Sequence, residues 1–328
     1  MDRIIKDFER DCQIRGMAER SINSYHTCIR TYGDYLATRG KGFLTANKDD
    51  LVSFIESLRL DKGLSLMTVK RYLAALSSLC EYLVFKEQIQ ANYVRPVRSR
   101  YIRSYKETPE GRKLISVGDM ANLINSTLNV RDKAIIALLA KTGIRRNELI
   151  TLDVSDVDLI ENMIRLKPTA KRTNRTVFFD DECAYLLRRW LKVREGTNKK
   201  GSTALFLNHE GKRLNRSGVY NLVVEAARRA GLHNPDSKRL EDHFSPHACR
   251  HWYCTHLFRA GMRREYIKEL RGDSRKEAFD LYNHIDLKEL KEAYLACIPQ
   301  LGDLKRSAER STVLGEMLCS SARSNRGI

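Results

Sequence analysis

The sequence predicts a mainly helical protein with one small antiparallel β-sheet, divided into two domains. The chain has 328 residues, a length that suits two domains and allows a substantial hydrophobic core. Along most of the chain, apolar residues recur at spacings of three and four, which is the pattern of a helix with one buried face. A clear strand–turn–strand pattern occurs around residues 163–179 and indicates one β-hairpin.

The composition indicates a globular protein with a polyanionic partner. Hydrophobic residues make up 42% of the chain, and the formal net charge is +18. Such a charge favours nucleic acid, because each phosphate that a protein neutralises releases a condensed counterion. The sequence has no apolar run long enough to span a membrane and no secretory signal, so we expect no membrane partner. The eight scattered cysteines form no CxxC pair, which is typical of reduced cysteines in a cytoplasmic protein.

Residues 1–95 are predicted to form a helical first domain. One helix carries a regular apolar face, a second begins at the capping residue Asn47, and a third covers residues 65–87. Lys70 and Arg71 lie outside the apolar stripe of the third helix. They are candidate contacts to nucleic-acid phosphates, and an ordinary solvated helix face is the alternative.

The next segment, residues 96–113, is predicted to be an extended basic linker between the domains. It contains Pro96, Pro109 and Gly111 and has no sustained apolar period. A basic extended segment suits a path along a nucleic-acid backbone. The candidate DNA contacts in this segment are Arg98, Arg100 and Arg103.

The second domain is predicted over residues 114–301 and is followed by a tail, residues 302–328. Its first helix is closed by Gly143, and a short helix then starts at Arg145. The remaining predicted elements are strands at 163–166 and 176–179 and helices at 182–194, 217–230 and 246–260. The second domain is therefore predicted to carry the sheet.

The predicted helix 246–260 has a cluster of polar residues on one face. His247, Arg250, His251 and Cys254 lie at positions i, i+3, i+4 and i+7. A zinc site of the two histidines and the cysteine is one interpretation, but no general-base glutamate follows His247 and no second ligand cluster is present. We therefore expect no metal. A helix with ordinary satisfied polar groups is the other alternative.

Further polar residues occur far from this helix in the sequence. Arg145 stands at a helix start, a position that favours anions. The turn of the hairpin, "AKRTNR", is basic and contains Lys171, Arg172 and Arg175, of which the two arginines are candidate DNA contacts. Tyr282 lies on a short predicted helix near the end of the second domain.

In this order the motifs resemble those of the tyrosine recombinases, the family of phage integrases, Cre and the Xer proteins. The stretch "TGIRRNEL" is similar to the first box of the family, with Arg145 as the active-site arginine and Glu148 as its structural acid. The stretch "HACRH" matches the second box at His247 and Arg250. The stretch "LRGDS…LYNH" resembles the nucleophile box and places the nucleophile at Tyr282.

The hairpin lysine of the family matches Lys171 best. Lys167 is the alternative, although it lies at the end of the first strand rather than in the turn. The resemblance covers residues 114–300 by motif and 1–95 by pattern only. It implies a two-domain DNA clamp with a helical core-binding, SAM-like domain and a catalytic domain.

The resemblance also implies the reaction. A site-specific recombinase cuts and rejoins double-stranded DNA through a 3′-phosphotyrosine intermediate, without a cofactor, and integrates or excises a mobile element or resolves DNA in the manner of the Xer proteins. The family pattern implies a monomer in solution and a homotetramer on two DNA sites. A type IB topoisomerase-like relaxing enzyme and a DNA-binding protein with lapsed catalysis are the alternatives.

The residue types suit phosphoryl transfer without a metal. Guanidinium groups are planar, permanently charged and bidentate toward oxygens, so Arg145 and Arg250 suit the negative charge that develops in the transition state. The resemblance makes Lys171 the candidate acid for the leaving 5′ oxygen, and His247 can assist as a proton donor or acceptor. A free tyrosine has a pKa near 10 and is mostly neutral at pH 7, so the nucleophile relies on the arginines and a nearby base.

One position departs from the family pattern. Where the family commonly has a histidine or tryptophan nine residues before the nucleophile, this sequence has Asp273. A carboxylate cannot donate a hydrogen bond and repels phosphate. We expect it to orient His247, Arg250 or a backbone group, or to be protonated in a desolvated site. The missing donor would then come from Arg271, Ser274 or Lys276.

The tail is predicted to contain a short amphipathic helix around Val313, Leu314, Met317 and Leu318. In the family, the segment after the nucleophile often docks on a neighbouring subunit. We expect the same here, and a frayed terminus is the alternative.

Overall fold

The structure, a computed structural model, describes residues 1–102, 114–168, 175–237, 239–273 and 285–302. The chain divides into two compact units, Met1–Thr108 and Pro109–Ile328. The prediction of a mainly helical fold with one small antiparallel sheet is confirmed. None of the helices among the described residues combines the length and hydrophobicity that crossing a membrane requires.

The described part of the first unit consists of helices. They are α1 Asp2–Ile14, α2 Glu19–Ala37, α3 Lys48–Glu56 with the π-helical turn Ser57–Asp61, α4 Leu66–Phe85 and α5 Val94–Tyr101. Phe8, Tyr32 and Phe54 are buried in the core of this unit, where the rings of Tyr32 and Phe54 lie 4.9 Å apart. Asn47 caps α3 as predicted, because its side chain accepts hydrogen bonds from two backbone N–H groups of the first turn.

The prediction of an extended linker is wrong for residues 96–101, which belong to α5. Val94, Val97 and Ile102 are buried in the core of the first unit. Their burial holds this short, arginine-rich segment in a helix, although its sequence shows no sustained apolar period. Arg103 and the rest of the predicted linker lie outside the described residues.

The second unit contains the sheet and the remaining helices. The elements before the sheet are α6 Val117–Asn125, α7 Val130–Thr142 and α8 Arg146–Thr151. The strands are β1 Val157–Asp158, β2 Met163–Leu166 and β3 Arg175–Phe178, in the order β1-β2-β3 and antiparallel throughout. The elements after the sheet are α9 Asp181–Thr197, α10 Arg216–Arg229, α11 Pro246–Arg259, α12 Arg264–Arg271 and α13 Leu287–Cys297. The hairpin of β2 and β3 is confirmed, and β1 was not predicted.

Helix α7 lies at the centre of the second unit. All residues from 134 to 140 are fully buried, because α7 packs against both α9 and α11. Gly143 ends the helix with a φ of +59°, and a Cβ at this position would overlap the ring of Tyr253. The chain therefore turns sharply at a glycine and presents Arg145 at the start of α8.

A buried lysine fastens the C-terminal end of the described chain to α7. Lys141 is fully buried, and its ammonium group donates to Asp180, to Glu182 at 2.6 Å and to the carbonyl of Pro299 at 2.7 Å. The carboxylate of Glu182 also accepts from the backbone N–H of Leu301 at 2.9 Å. The segment from α13 to Leu301 is therefore anchored in the second unit.

Candidate active site

The turn between α7 and α8 holds Arg145 through Glu148. The backbone N–H of Arg145 donates to Oε2 of Glu148 at 2.6 Å, and its Nη1 donates to Oε1 at 3.2 Å. In both bonds Arg145 donates and Glu148 accepts, so the glutamate holds the start of the short helix α8 and fixes the direction of the arginine side chain. The side chain of Arg145 is 46% exposed, so its guanidinium group is accessible from solvent.

Helix α11 brings Arg250 to the same place. Arg250 is buried, and it donates to the carbonyl of Gly143 and to the carbonyl of Arg271, each at 2.6 Å. Arg145 donates to the same Arg271 carbonyl at 3.1 Å and to the carbonyl of Gly272 at 3.3 Å. Two arginines that are 105 positions apart in the sequence (250 − 145) therefore converge on the end of α12.

Burial lowers the pKa of Arg250 to about 10, and the positive charge of Arg145 contributes in the same direction. Arg250 therefore remains protonated at neutral pH, although its charged form is less favourable here than in water. A phosphate oxygen brought between the two guanidinium groups would relieve both the burial and the repulsion. The pair is for this reason an anion-binding arrangement.

Arg175 is not a DNA contact, and this prediction is wrong. Arg175 is buried at the start of β3, where its Nη2 donates to Oε2 of Glu148 at 2.6 Å and its Nη1 donates to the carbonyl of Leu270. A Cβ at Gly272 would lie 2.5 Å from its Nε. Arg175 therefore joins β3, the capping acid Glu148 and the end of α12. The sequence did not indicate this role, because Arg175 stands in a basic segment that was predicted to be an exposed turn.

The pKa of Glu148 reflects this network. Burial disfavours the charged carboxylate, but the charges and hydrogen bonds of Arg175 and Arg145 outweigh burial and lower the pKa of Glu148. Glu148 is therefore ionised at neutral pH. It neutralises the buried Arg175 and orients Arg145.

Asp273, the departure from the family pattern, lies beside the arginine pair. Its Oδ1 is 3.9 Å from Nη2 of Arg145 and 3.9 Å from Nη2 of Arg250, and its Oδ2 is 3.3 Å from Nε of Arg271. Of the roles expected for Asp273, orientation of Arg250 agrees with these distances. The candidate donor Arg271 is close to the carboxylate, whereas Ser274 and Lys276 lie outside the described residues.

His247 is exposed on the first turn of α11 and lines a cleft together with Arg145 and Arg250. The structure thus brings together four of the six predicted catalytic residues: Arg145, His247, Arg250 and Asp273. Lys171 and Tyr282 lie outside the described residues, as does Arg172. These three assignments stay predictions.

Lys167, the alternative hairpin lysine, is engaged elsewhere. Its ammonium group bonds to Asp153 and lies 3.6 Å from Asp156. The hydrogen bond to Asp153 is the largest contribution that raises the pKa of Lys167. A lysine that is paired in this way is a poor proton donor to a leaving group, which favours Lys171 for that role.

Several of the predicted DNA contacts in the first unit are accessible. Lys70 and Arg98 line one groove between α4 and α5, together with Ser77 and Arg95. Arg71 on α4 and Arg100 on α5 are exposed. Lys70 and Arg98 therefore present positive charge on the same groove of this unit.

Sequence reasoning missed three residues that line the cleft of the second unit. They are Arg146, Arg216 and Tyr220. Arg146 follows Arg145 directly, and Arg216 is the first residue of α10, so both stand at helix starts that the sequence had marked. This position was the available signal for them.

Comparison with known proteins places the chain in a family. The model of the phage integrase family matches residues 117–289, which is more than half of the chain. The chain belongs to the phage integrase family. The model described as phage integrase, N-terminal SAM-like domain, matches residues 4–90. The chain is therefore a site-specific tyrosine recombinase, an enzyme that cleaves and rejoins DNA.

Two relatives illustrate how far the similarity to this integrase extends. Tyrosine recombinase XerC of Herpetosiphon aurantiacus is 29% identical over 277 residues, which cover 83% of this chain and 86% of the relative. Tyrosine recombinase XerD of Oceanobacillus iheyensis is 28% identical over 309 residues, which cover 90% of this chain and 98% of the relative. Both alignments span the two units.

Solved structures have the same fold. The Tn1549 transposon integrase in complex with transposon right end DNA matches with a TM-score of 0.65 and 18% identity, over 88% of this chain and 97% of that chain. A λ integrase dimer bound to a core site matches with a TM-score of 0.65 and 14% identity, over 88% of this chain and 99% of that chain. At this identity, the similarity concerns the fold alone.

Proposed function

We propose that this recombinase cleaves DNA by attack of Tyr282 on one phosphodiester. The phenol oxygen forms a bond to phosphorus, the bond to the 5′ oxygen breaks, and a 3′-phosphotyrosine link and a free 5′ hydroxyl result. A 5′ hydroxyl of a second strand then reverses the step and reseals the backbone, so the energy of the phosphodiester is conserved. The observation that carries the proposal is the convergence of Arg145 and Arg250 on one carbonyl, that of Arg271.

The two arginines stabilise the transition state. Each guanidinium group has five N–H donors, and Arg250 uses two of them in its bonds to Gly143 and Arg271. Arg145 uses three, in its bonds to Glu148, Arg271 and Gly272. The remaining donors would bind the nonbridging oxygens, whose negative charge increases as the phosphorus becomes five-coordinate. Removal of one such preorganised donor typically costs about 3 kcal/mol, or ~100-fold in rate.

Proton transfer is assigned to Lys171 and His247. The ammonium group of Lys171 would protonate the leaving 5′ oxygen, and the imidazole of His247 would accept the phenol proton or stabilise the phosphate. The exposed position of His247 beside the arginine pair is compatible with this role. Asp273 would offset the repulsion between the two guanidinium groups until phosphate enters, because its Oδ1 lies 3.9 Å from each of them.

Both units are proposed to bind the DNA, as a clamp whose contacts are mainly to the backbone. In the first unit, Lys70, Arg71, Arg98 and Arg100 would bind phosphates, and Arg103 and Arg172 would extend these contacts. The substrate is double-stranded DNA in the cytoplasm. The monomer would assemble into a homotetramer on two sites, either to integrate or excise a mobile element or to resolve DNA as an Xer-like enzyme.

A nicked suicide substrate tests the covalent step. Such a DNA loses a short fragment after cleavage, so the protein remains attached and migrates as an adduct on a denaturing gel. We expect an adduct with the natural chain and none with Tyr282→Phe, while both proteins bind the DNA equally. An adduct that persists in Tyr282→Phe would assign the nucleophile to another residue.

Strand exchange tests the reaction class. Two DNA molecules with differently labelled sites are expected to yield recombinant products, which a relaxing enzyme cannot form. Relaxation of supercoiled DNA without recombinants would instead support the topoisomerase-like alternative, and binding without any adduct would support lapsed catalysis. The family membership does not favour either alternative.

A further inference from the structure

A cleft of about 430 Å³ lies beside the arginine pair, between the starts of α8, α10 and α11. Arg145, His247 and Arg250 line one part of it, and Arg146, Arg216 and Tyr220 line another. None of the described residues that line the cleft is acidic. The charged side chains that line the cleft are therefore all arginines, and the two proposed catalytic arginines are among them.

Arg146 and Arg216 are both half-buried, and their side chains form no ion pair or hydrogen bond within the part of the chain that the structure describes. This distinguishes them from Arg175, which is paired with Glu148. Partial burial without a carboxylate partner is unfavourable for a guanidinium group unless an external anion compensates for the lost hydration. Their charge is thus available to a ligand.

Tyr220 and the helix starts restrict the position of these charges. The guanidinium group of Arg146 lies over the ring of Tyr220, 5.5 Å from its centroid. A cation–π contact of this kind restrains the position of the guanidinium group and uses none of its N–H donors. Arg216 is the first residue of α10, a helix of 14 residues whose amino end also favours an anion.

The chemistry of the lining selects a phosphodiester as the ligand. Planar donors in adjacent positions match the nonbridging oxygens of phosphate. Successive phosphates of one DNA strand are separated by about 3.4 Å along the helix axis, so a strand held at Arg145 and Arg250 has its next phosphate within reach of a neighbouring arginine. The cleft and the catalytic pair would thus hold consecutive phosphates of one strand.

We propose that Arg146, Arg216 and Tyr220 form a binding site for the phosphate adjacent to the scissile phosphate on the cleaved strand. This inference rests on the proposed function, because it takes Arg145 and Arg250 as the position of the scissile phosphate. The site keeps the strand in register, so that the reacting phosphorus lies against the arginine pair. Arg146 and Arg216 are positioning residues and take no part in the bond changes.

The test combines substitutions with uncharged phosphate analogues. Nicked suicide substrates are made with a methylphosphonate in place of the phosphate on either side of the scissile one, and single-turnover adduct formation is measured with Arg146→Gln and Arg216→Gln. Each substitution is expected to slow cleavage of natural DNA roughly tenfold or more. On the DNA whose contacted phosphate is already neutral, the same substitution should have little further effect. The negative charge that the arginine would bind has already been removed there, so the two changes are not additive.

Arg228→Gln is the matched control. Arg228 lies on the same helix α10 but pairs with Glu225 on an exposed surface, so its loss should leave cleavage of every substrate unchanged. The proposal is overturned if Arg146→Gln and Arg216→Gln slow the natural and the neutral substrates by the same factor, or slow neither. A natural chain that forms no adduct on any substrate would instead refute the proposed function, so the two failures are distinguishable.

Discussion

Arginines that look alike in the sequence have different environments in the second unit. Arg175 is neutralised by Glu148, Arg145 and Arg250 donate to backbone carbonyls, and Arg216 has no such partner among the described residues. These environments differ in accessibility: Arg175 is buried with its carboxylate partner, whereas the guanidinium group of Arg145 stays exposed although Glu148 also holds it. The site therefore depends on where the carboxylates lie as much as on where the arginines lie.

The lowered pKa of Glu148 has a measurable consequence for stability. A carboxyl group whose pKa is lower in the folded than in the unfolded state contributes stability above its unfolded pKa, about 4.3 for glutamate. That contribution is lost as the pH falls through the folded pKa. We expect Glu148→Gln to lower the free energy of unfolding by about 3 kcal/mol near pH 7 and by progressively less below about pH 4.

Urea unfolding of both proteins between pH 7 and pH 3.5 measures this difference. Glu195→Gln removes an exposed glutamate from α9 and serves as the control, with little effect at any pH. A difference between Glu148→Gln and the natural chain that stays constant over the whole pH range would contradict the network around Arg175.

Among the secondary-structure elements, α7 has the greatest influence on the site. It is buried on all sides, so its carboxyl end is fixed, and the turn at Gly143 transmits that position to Arg145 and Arg250. Lys141, on the same helix, anchors the segment that ends at Leu301. One buried helix thus positions two candidate catalytic arginines and the end of the described chain.

Gly143→Ala tests this dependence. The new Cβ would overlap the ring of Tyr253 and would also force alanine into a left-handed conformation, with a φ of +59°. We expect a loss of unfolding free energy of about 2 to 4 kcal/mol, the sum of overpacking and backbone strain, together with loss of adduct formation.

Gly231→Ala separates the two contributions. Gly231 has a similar φ of +70°, but a Cβ there would have open space around it. Gly231→Ala should therefore lower the free energy of unfolding only by the backbone strain, about 1 kcal/mol, and leave cleavage intact. Thermal unfolding of both variants compares them directly, and equal losses of stability would show that the contact with Tyr253 is unimportant.

At the scale of the whole molecule, the candidate catalytic residues and the tail expected to dock on a neighbouring subunit lie in different parts of the chain. The segment up to Leu301 is tied to the second unit by the buried Lys141 and by Glu182, so residues beyond it are the ones proposed to dock on a neighbouring subunit. This division implies that cleavage and assembly respond to different parts of the chain.

A chain shortened after Leu301 is expected to unfold at the same temperature as the full chain and to form the adduct on a nicked site. It should fail to form the complex of two DNA sites, which light scattering or a native gel detects. Leu314→Asp in the full chain is the matched variant and should show the same defect. If the shortened chain assembles and recombines normally, the tail does not dock in trans.

The sequence by itself determined the helical class, the hairpin, the family and the identity of most candidate catalytic residues. Periodicity, caps and short motifs are local properties, so they can be recognised without a fold. The order of the motifs around Arg145, Arg250 and Tyr282 then indicated the chemistry.

Only the tertiary structure decided which of the described basic residues are buried and which are exposed. Arg175 was expected on the surface and is buried, and residues 96–101 were expected to be extended but form part of a helix. The cleft with Arg146 and Arg216 was not predicted at all. The physical reason is that burial and pairing depend on neighbours that are distant in the sequence. Glu148 bonds to Arg175, and the carbonyl of Arg271 accepts from Arg145 and Arg250, only when α7, α11, α12 and β3 pack together.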